Sequence, residues 1–123
     1  MLDEALIGRR VLVVEDEYLL ASDMANELED AGAAVLGPVG TLDDAITAIE
    51  VDGQIDAVIL DINLHGELAL AAADLLLTRG IPFVFTTGYD EAAVPKRFAH
   101  IERCEKPTDM KRVTQAIGNA IRR

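Results

Sequence analysis

The chain has 123 residues, half of them apolar, with few aromatics and no Trp, so it fits one domain around an aliphatic core. A formal net charge of −11 argues against the nucleic-acid backbone and an anionic membrane as direct partners, because both need basic surface. The lone Cys104 excludes an internal disulfide or a Cys-rich zinc site, and no run approaches the ~20 apolar residues of a membrane span.

Residues 1–8 are a short, acidic lead-in without the basic start of a signal peptide, so the expected compartment is the cytoplasm. Val11-Leu12-Val13-Val14 reads as a strand over 10–14, apolar throughout as strands covered on both faces are. It ends in Glu15-Asp16-Glu17. The spacing of Leu20, Met24 and Leu28 predicts a helix to about residue 31, closed by Gly32. Residues 34–36 are a second strand, stopped by Gly37-Pro38. Thr41 is placed to cap a second helix with the stripe Leu42, Ala45, Ile46 and Ile49.

Residues 57–60 form a third strand, and Asp61 stands at its end. A third helix is expected over 67–79, stopping at Gly80. It is apolar nearly all round, which suggests a partner or dimer patch at Leu70 or Leu77, although Ala-rich helices also expose methyls harmlessly. Pro82 opens a fourth strand at 83–86, ended by Thr87-Gly88. Residues 90–98 predict a short or broken helix, because Pro95 removes a backbone donor. A fifth strand is expected over 100–105, with Cys104 as a small buried hydrophobe, ending at Lys106-Pro107. Thr108 can cap a last helix with the stripe Met110, Val113, Ile117 and Ile121.

Strands alternating with helices imply a parallel sheet covered on both faces. Right-handed crossovers limit the topology, and the expected fold is α/β, a flavodoxin-like (βα)5 doubly wound sheet of order 2-1-3-4-5. In such sheets chemistry sits outside the carboxyl ends of the strands. There Glu15, Asp16, Asp61, Thr87 and Lys106 converge. Three carboxylates in one cleft repel, and a hard divalent cation with oxygen ligands, Mg²⁺, relieves that repulsion. Lys106 is a point-charge phosphate binder. These are the parts for moving a phosphoryl group onto a carboxylate, with Asp61 as in-line nucleophile. Singly, each has an ordinary reading: a solvated turn, a strand-forming Thr, an exposed Lys. The conjunction at neighbouring strand ends points to function.

On Val13-Val14-Glu15-Asp16-Glu17, Val58-Ile59-Leu60-Asp61-Ile62-Asn63-Leu64, Thr87-Gly88 and Lys106-Pro107, the chain resembles the receiver domain of two-component response regulators over essentially its whole length, 1–123. The run from Pro82 to Tyr89 further resembles the FAT GUY subgroup, motif PFxFATGY, with Thr86 in place of the Ala. The resemblance implies that Asp61 accepts a phosphoryl group from phosphohistidine. It implies Mg²⁺ binding by the Asp16 and Asp61 side chains, the Asn63 backbone carbonyl, and Glu15 through water. Thr87 is then the switch hydroxyl, Lys106 pairs with the phosphoryl group or the free carboxylate, and the Lys106-Pro107 bond is expected to be cis. Arg103 stands where many receivers carry a switch aromatic, leaving Tyr89 as a substitute. With Pro95 interrupting the fourth helix, residues 88–98 are the expected moving element. His65 is expected to face solvent at the pocket rim.

The resulting expectation is a stand-alone response regulator, since no output domain follows Arg123. It would not be a turnover enzyme, though it can autodephosphorylate. Its expected partners are a histidine kinase or histidine phosphotransfer protein and a downstream protein, the chain itself being a monomer or weak dimer. Two alternatives stand beside it: a Mg²⁺-dependent aspartyl-phosphate-type phosphatase on small substrates, and a receiver fragment of a larger kinase or regulator. The phosphatase lacks its second acid, because Asn63 stands two residues past Asp61.

Overall fold

The computed structural model describes residues 4–88, 94–106 and 109–122. Five strands, β1 (Arg10–Val14), β2 (Ala34–Val39), β3 (Ala57–Asp61), β4 (Phe83–Thr87) and β5 (Arg103–Glu105), form one parallel sheet in the order β2-β1-β3-β4-β5. This is the expected order. Among the described residues four α-helices cover it: α1 (Tyr18–Asp30), α2 (Leu42–Val51), α3 (Leu70–Arg79) and α4 (Met110–Arg122).

Side-chain alternation divides the core into two layers. Leu12, Val14, Val58, Leu60, Phe83 and Phe85 pack against α2 and α3. Val11, Val13, Ala57, Ile59, Val84 and Cys104 pack against Met24 and Leu28 of α1 and Val113 and Ile117 of α4. Both layers bury aliphatic surface, as the composition requires. Leu70 and Leu77, at the expected partner patch, are half-buried against the α2/α3 layer.

Thr41 caps α2 as expected, its Oγ1 accepting from the Asp44 amide at 3.1 Å. Thr41→Ala is expected to cost about 1 kcal/mol, read as a lower urea midpoint. An unchanged midpoint would count against the cap. Thr108 lies outside the described residues, and at the start of α4 Asp109 Oδ1 accepts from the Lys111 amide at 3.0 Å.

Three boundaries differ from the sequence expectation. β2 continues through a cis Gly37-Pro38 bond to Val39. As an edge strand it tolerates a proline that a central strand would not. α3 begins at Leu70 rather than residue 67, because Asn63–Leu64 pairs antiparallel with Glu67–Leu68. The turn between them has positive φ at both His65 (52°) and Gly66 (85°), as a type I′ hairpin turn requires. His65→Gly is therefore expected to hold or raise stability, and His65→Val to lower it by about 1 kcal/mol, by chemical denaturation.

The segment before β5 forms the third difference. Residues 100–102 are not strand, and a 3-10 turn, Lys96–Phe98, precedes them. Turning the backbone buries Phe98 edge-on against Phe83 and Phe85, at centroid distances of 6.5 and 5.7 Å. Within the short or broken helix expected over 90–98, the described residues 94–98 hold that turn. Residues 89–93, including Tyr89, and Pro107 of the expected cis bond lie outside the described residues.

Candidate functional site

The extension of β2 matters for the first site residue. Val39 carbonyl accepts the Glu15 amide at 2.9 Å, carrying the ladder one residue past β1 and fixing the Glu15 backbone at the sheet's carboxyl edge. The Glu15 side chain is buried, and its Oε2 accepts from the Glu17 amide at 3.0 Å. β3 delivers Asp61, also buried, whose Oδ1 accepts from the Asn63 amide at 3.0 Å. Asn63 Oδ1 in turn accepts from the Gly66 amide at 2.7 Å, so the hairpin turn braces the residue next to the acid.

From β5, Lys106 reaches across to both acids. Its Nζ lies 2.7 Å from Asp61 Oδ2 and 3.0 Å from Glu15 Oε1. Its backbone is held by the Thr87 carbonyl, which accepts the Lys106 amide at 2.7 Å. Thr87 closes β4 and is buried. Asp16 is half-buried, and its Oδ2 accepts from the His65 amide at 2.9 Å.

Glu15, Asp16, Asp61 and Lys106 therefore meet at the sheet's carboxyl edge, and Thr87 joins them through its backbone carbonyl at the end of β4. Carboxylate oxygens of Glu15, Asp16 and Asp61 lie within 4.8 Å of one another. Glu15 Oε1, though close to Lys106, accepts no hydrogen bond of good geometry. An all-oxygen donor set with one buried, under-used oxygen fits a hard divalent cation.

The electrostatics follow from that crowding. Burial, with the neighbouring Asp61 charge, pushes Glu15 up to about 7 despite the Glu17 amide and Lys106. Burial also raises Asp61, against the pull of Lys106 and the Asn63 amide. Asp16 falls below the ordinary range, because hydrogen bonds, first that of the His65 amide, outweigh its burial. Burial would lower Lys106, but bonds to Asp61 and Glu15 raise it, so it stays a cation.

Two contacts were not foreseen. His65 is exposed, as expected, yet its Nδ1 lies 3.3 Å from Asp16 Oδ2, and its amide donates to the same oxygen. A turn that brings residue 65 back onto residue 16 has no local signature beyond Gly66. Thr86, noticed only as a departure from a motif, is fully buried beside Asp61 in the sheet register.

A doubly wound sheet with an acid pair, an acceptor acid and a lysine at its carboxyl edge is the build of a response regulator receiver, and the chain belongs to that family. It is similar to SdrG from Sphingomonas melonis Fr1, at 38% identity and a TM-score of 0.81, over 98% of this chain and 99% of that one. It is 32% identical to the phyllosphere-induced regulator PhyR of Methylorubrum extorquens, across 94% of this chain and 44% of PhyR. A response regulator receiver protein from Sinorhizobium medicae, at 22% identity and a TM-score of 0.78 over 94% and 95% of the two chains, shares the fold. No protein-family model matches. The chain spans less than half the length of the curated relatives it matches.

Proposed function

We propose that this chain is the phosphoryl-accepting switch of a two-component relay, with Asp61 as the acceptor. The observation that carries the reading is the Lys106 ammonium at 2.7 Å from Asp61, in one pocket with Glu15 and Asp16. Asp61 Oδ attacks phosphorus in line. The phosphorus–nitrogen bond of a phosphohistidine donor breaks as the phosphorus–oxygen bond forms, and the imidazole keeps the electron pair. Lys106 offsets charge on the transferring group, and Thr87 supplies the hydroxyl that responds to it. Asp16, Asp61 and the Asn63 carbonyl would hold Mg²⁺ directly, with Glu15 acting through water. The ion would supply charge neutralisation for the phosphoryl oxygens.

The donor is a histidine kinase or histidine phosphotransfer protein, and the output is contact with a downstream protein. The relay reading carries a cytoplasmic location and a signalling role rather than turnover of an external substrate. Among the described residues no helix is long and apolar enough to cross a membrane. Thr87-Gly88 continues into Tyr89, which supports placing the chain near the FAT GUY subgroup. The small-substrate phosphatase reading is not favoured by the relatives. Incubation with acetyl phosphate and Mg²⁺, followed by intact mass, tests the proposal. One acid-labile phosphoryl adduct on Asp61 is expected, and none would overturn it.

A further inference from the structure

Thr86 is fully buried, and its hydroxyl has no hydrogen-bond partner among the described residues. Valine would fill the same space without stranding a donor. Strand propensity does not explain the choice, because valine is at least as good a strand former.

The position is specific. In the sheet register Thr86 stands between Asp61 on β3 and Cys104 on β5. Register partners in a parallel ladder project from the same face, here the α1/α4 side where Ile59, Val84 and Cys104 are buried. Lys106, two residues past Cys104, projects the same way. To bring Nζ within 2.7 Å of Asp61 its side chain must cross β4. At the level of Asp61, Thr86 is the β4 residue on that face. Thr87, by alternation, belongs with Phe83 and Phe85 on the opposite face.

We infer that Thr86 is a positioning residue for the phosphorylated state: its hydroxyl, unpartnered among the described residues and on the register neighbour of Asp61, donates to the Asp61 side-chain oxygen once Lys106 turns to the phosphoryl group. The inference rests on Asp61 being the acceptor. During hydrolysis a water oxygen attacks phosphorus and the bond from phosphorus to the Asp61 oxygen breaks. The electron pair returns to the Asp61 carboxylate, and the water's proton leaves to solvent as inorganic phosphate is released. A donor held against that carboxylate stabilises the charge it regains. Removing the hydroxyl therefore slows dephosphorylation.

The test compares the wild-type chain with Thr86→Val, Thr86→Ala and Thr86→Ser. Each is labelled with acetyl phosphate and Mg²⁺, freed of donor, and followed by intact mass as the adduct decays. Thr86→Val and Thr86→Ala are expected to decay about tenfold more slowly, the scale of one lost hydrogen bond to a charged group. Thr86→Ser, which keeps the hydroxyl, is expected to decay near the wild-type rate. The urea midpoint of Thr86→Val should equal or exceed wild type, which separates the effect from damage to the fold. Wild-type decay in Thr86→Val and Thr86→Ala, as a hydroxyl bonded only to buried water would give, overturns the inference. So does equal slowing in Thr86→Ser, which would mark an effect of size. Adduct formation in Asp61→Asn is a separate result, overturning the acceptor assignment before Thr86 is considered.

Discussion

Asp61→Asn is expected to abolish phosphoryl labelling while leaving the fold in place. The substitution keeps the shape of the side chain and an oxygen to accept the Asn63 amide, now 3.0 Å from Oδ1. It removes the negative oxygen that attacks phosphorus, and a neutral amide is a far poorer nucleophile. Lys106 retains Glu15 as a charge partner at 3.0 Å, so the buried ammonium is not stranded. Loss of the adduct should therefore come without loss of a cooperative urea transition. Labelling that persists in Asp61→Asn, or moves to Asp16 or Glu15, would sink the assignment of Asp61.

The stability of the metal-free protein is expected to fall as pH rises from about 4.5 to about 7, and Glu15→Gln to flatten that fall. Burial sets the direction: Glu15 is raised from 4.5 to about 7. Between those values the folded protein holds a proton that the unfolded chain has released. Each further rise in pH then favours unfolding, until Glu15 ionises in both states. The shift bounds the effect at roughly 3 kcal/mol. Asp61, raised by burial, acts with the same sign above its ordinary range. Asp16 acts oppositely: its depressed pKa contributes stability that is lost only as pH falls below the ordinary Asp range. Glutamine keeps the bulk of Glu15 and cannot ionise. Added Mg²⁺ should raise the urea midpoint more at pH 8 than at pH 5, since a cation competes best when both acids are charged. A slope unchanged in Glu15→Gln would show that other groups own this window.

The pocket was legible before the fold because its parts lie at the ends of apolar runs. Val11-Leu12-Val13-Val14 and Val58-Ile59-Leu60 are short, β-branched apolar runs that read as strands buried on both faces, and Glu15, Asp16 and Asp61 follow them directly. Elements whose limits depend on distant contacts were read less well. Phe98 turns its segment into a 3-10 helix by burying its ring between layers that the local pattern does not reveal. Glu67 and Leu68 look like the first turn of a helix, yet they pair with Asn63 and Leu64 across the left-handed His65-Gly66 turn.

The sequence by itself determined the five strands and the acids and lysine at their ends, which follow from local hydrophobic periodicity. Right-handed crossovers limited the pairing order, and the flavodoxin-like order among those left is the one observed. Only the tertiary structure decided how the charges are shared. Lys106 lies 45 residues from Asp61 and 91 from Glu15, yet one ammonium serves both, and that sharing arises from the register of β3, β4 and β5. The same register places Thr86 beside Asp61 and leaves Thr87 at the strand end, on the other face by alternation. Thr86 and Thr87 are adjacent and chemically alike. The twofold alternation of a strand gives them different surroundings, and only the neighbouring strands decide which one lies beside Asp61.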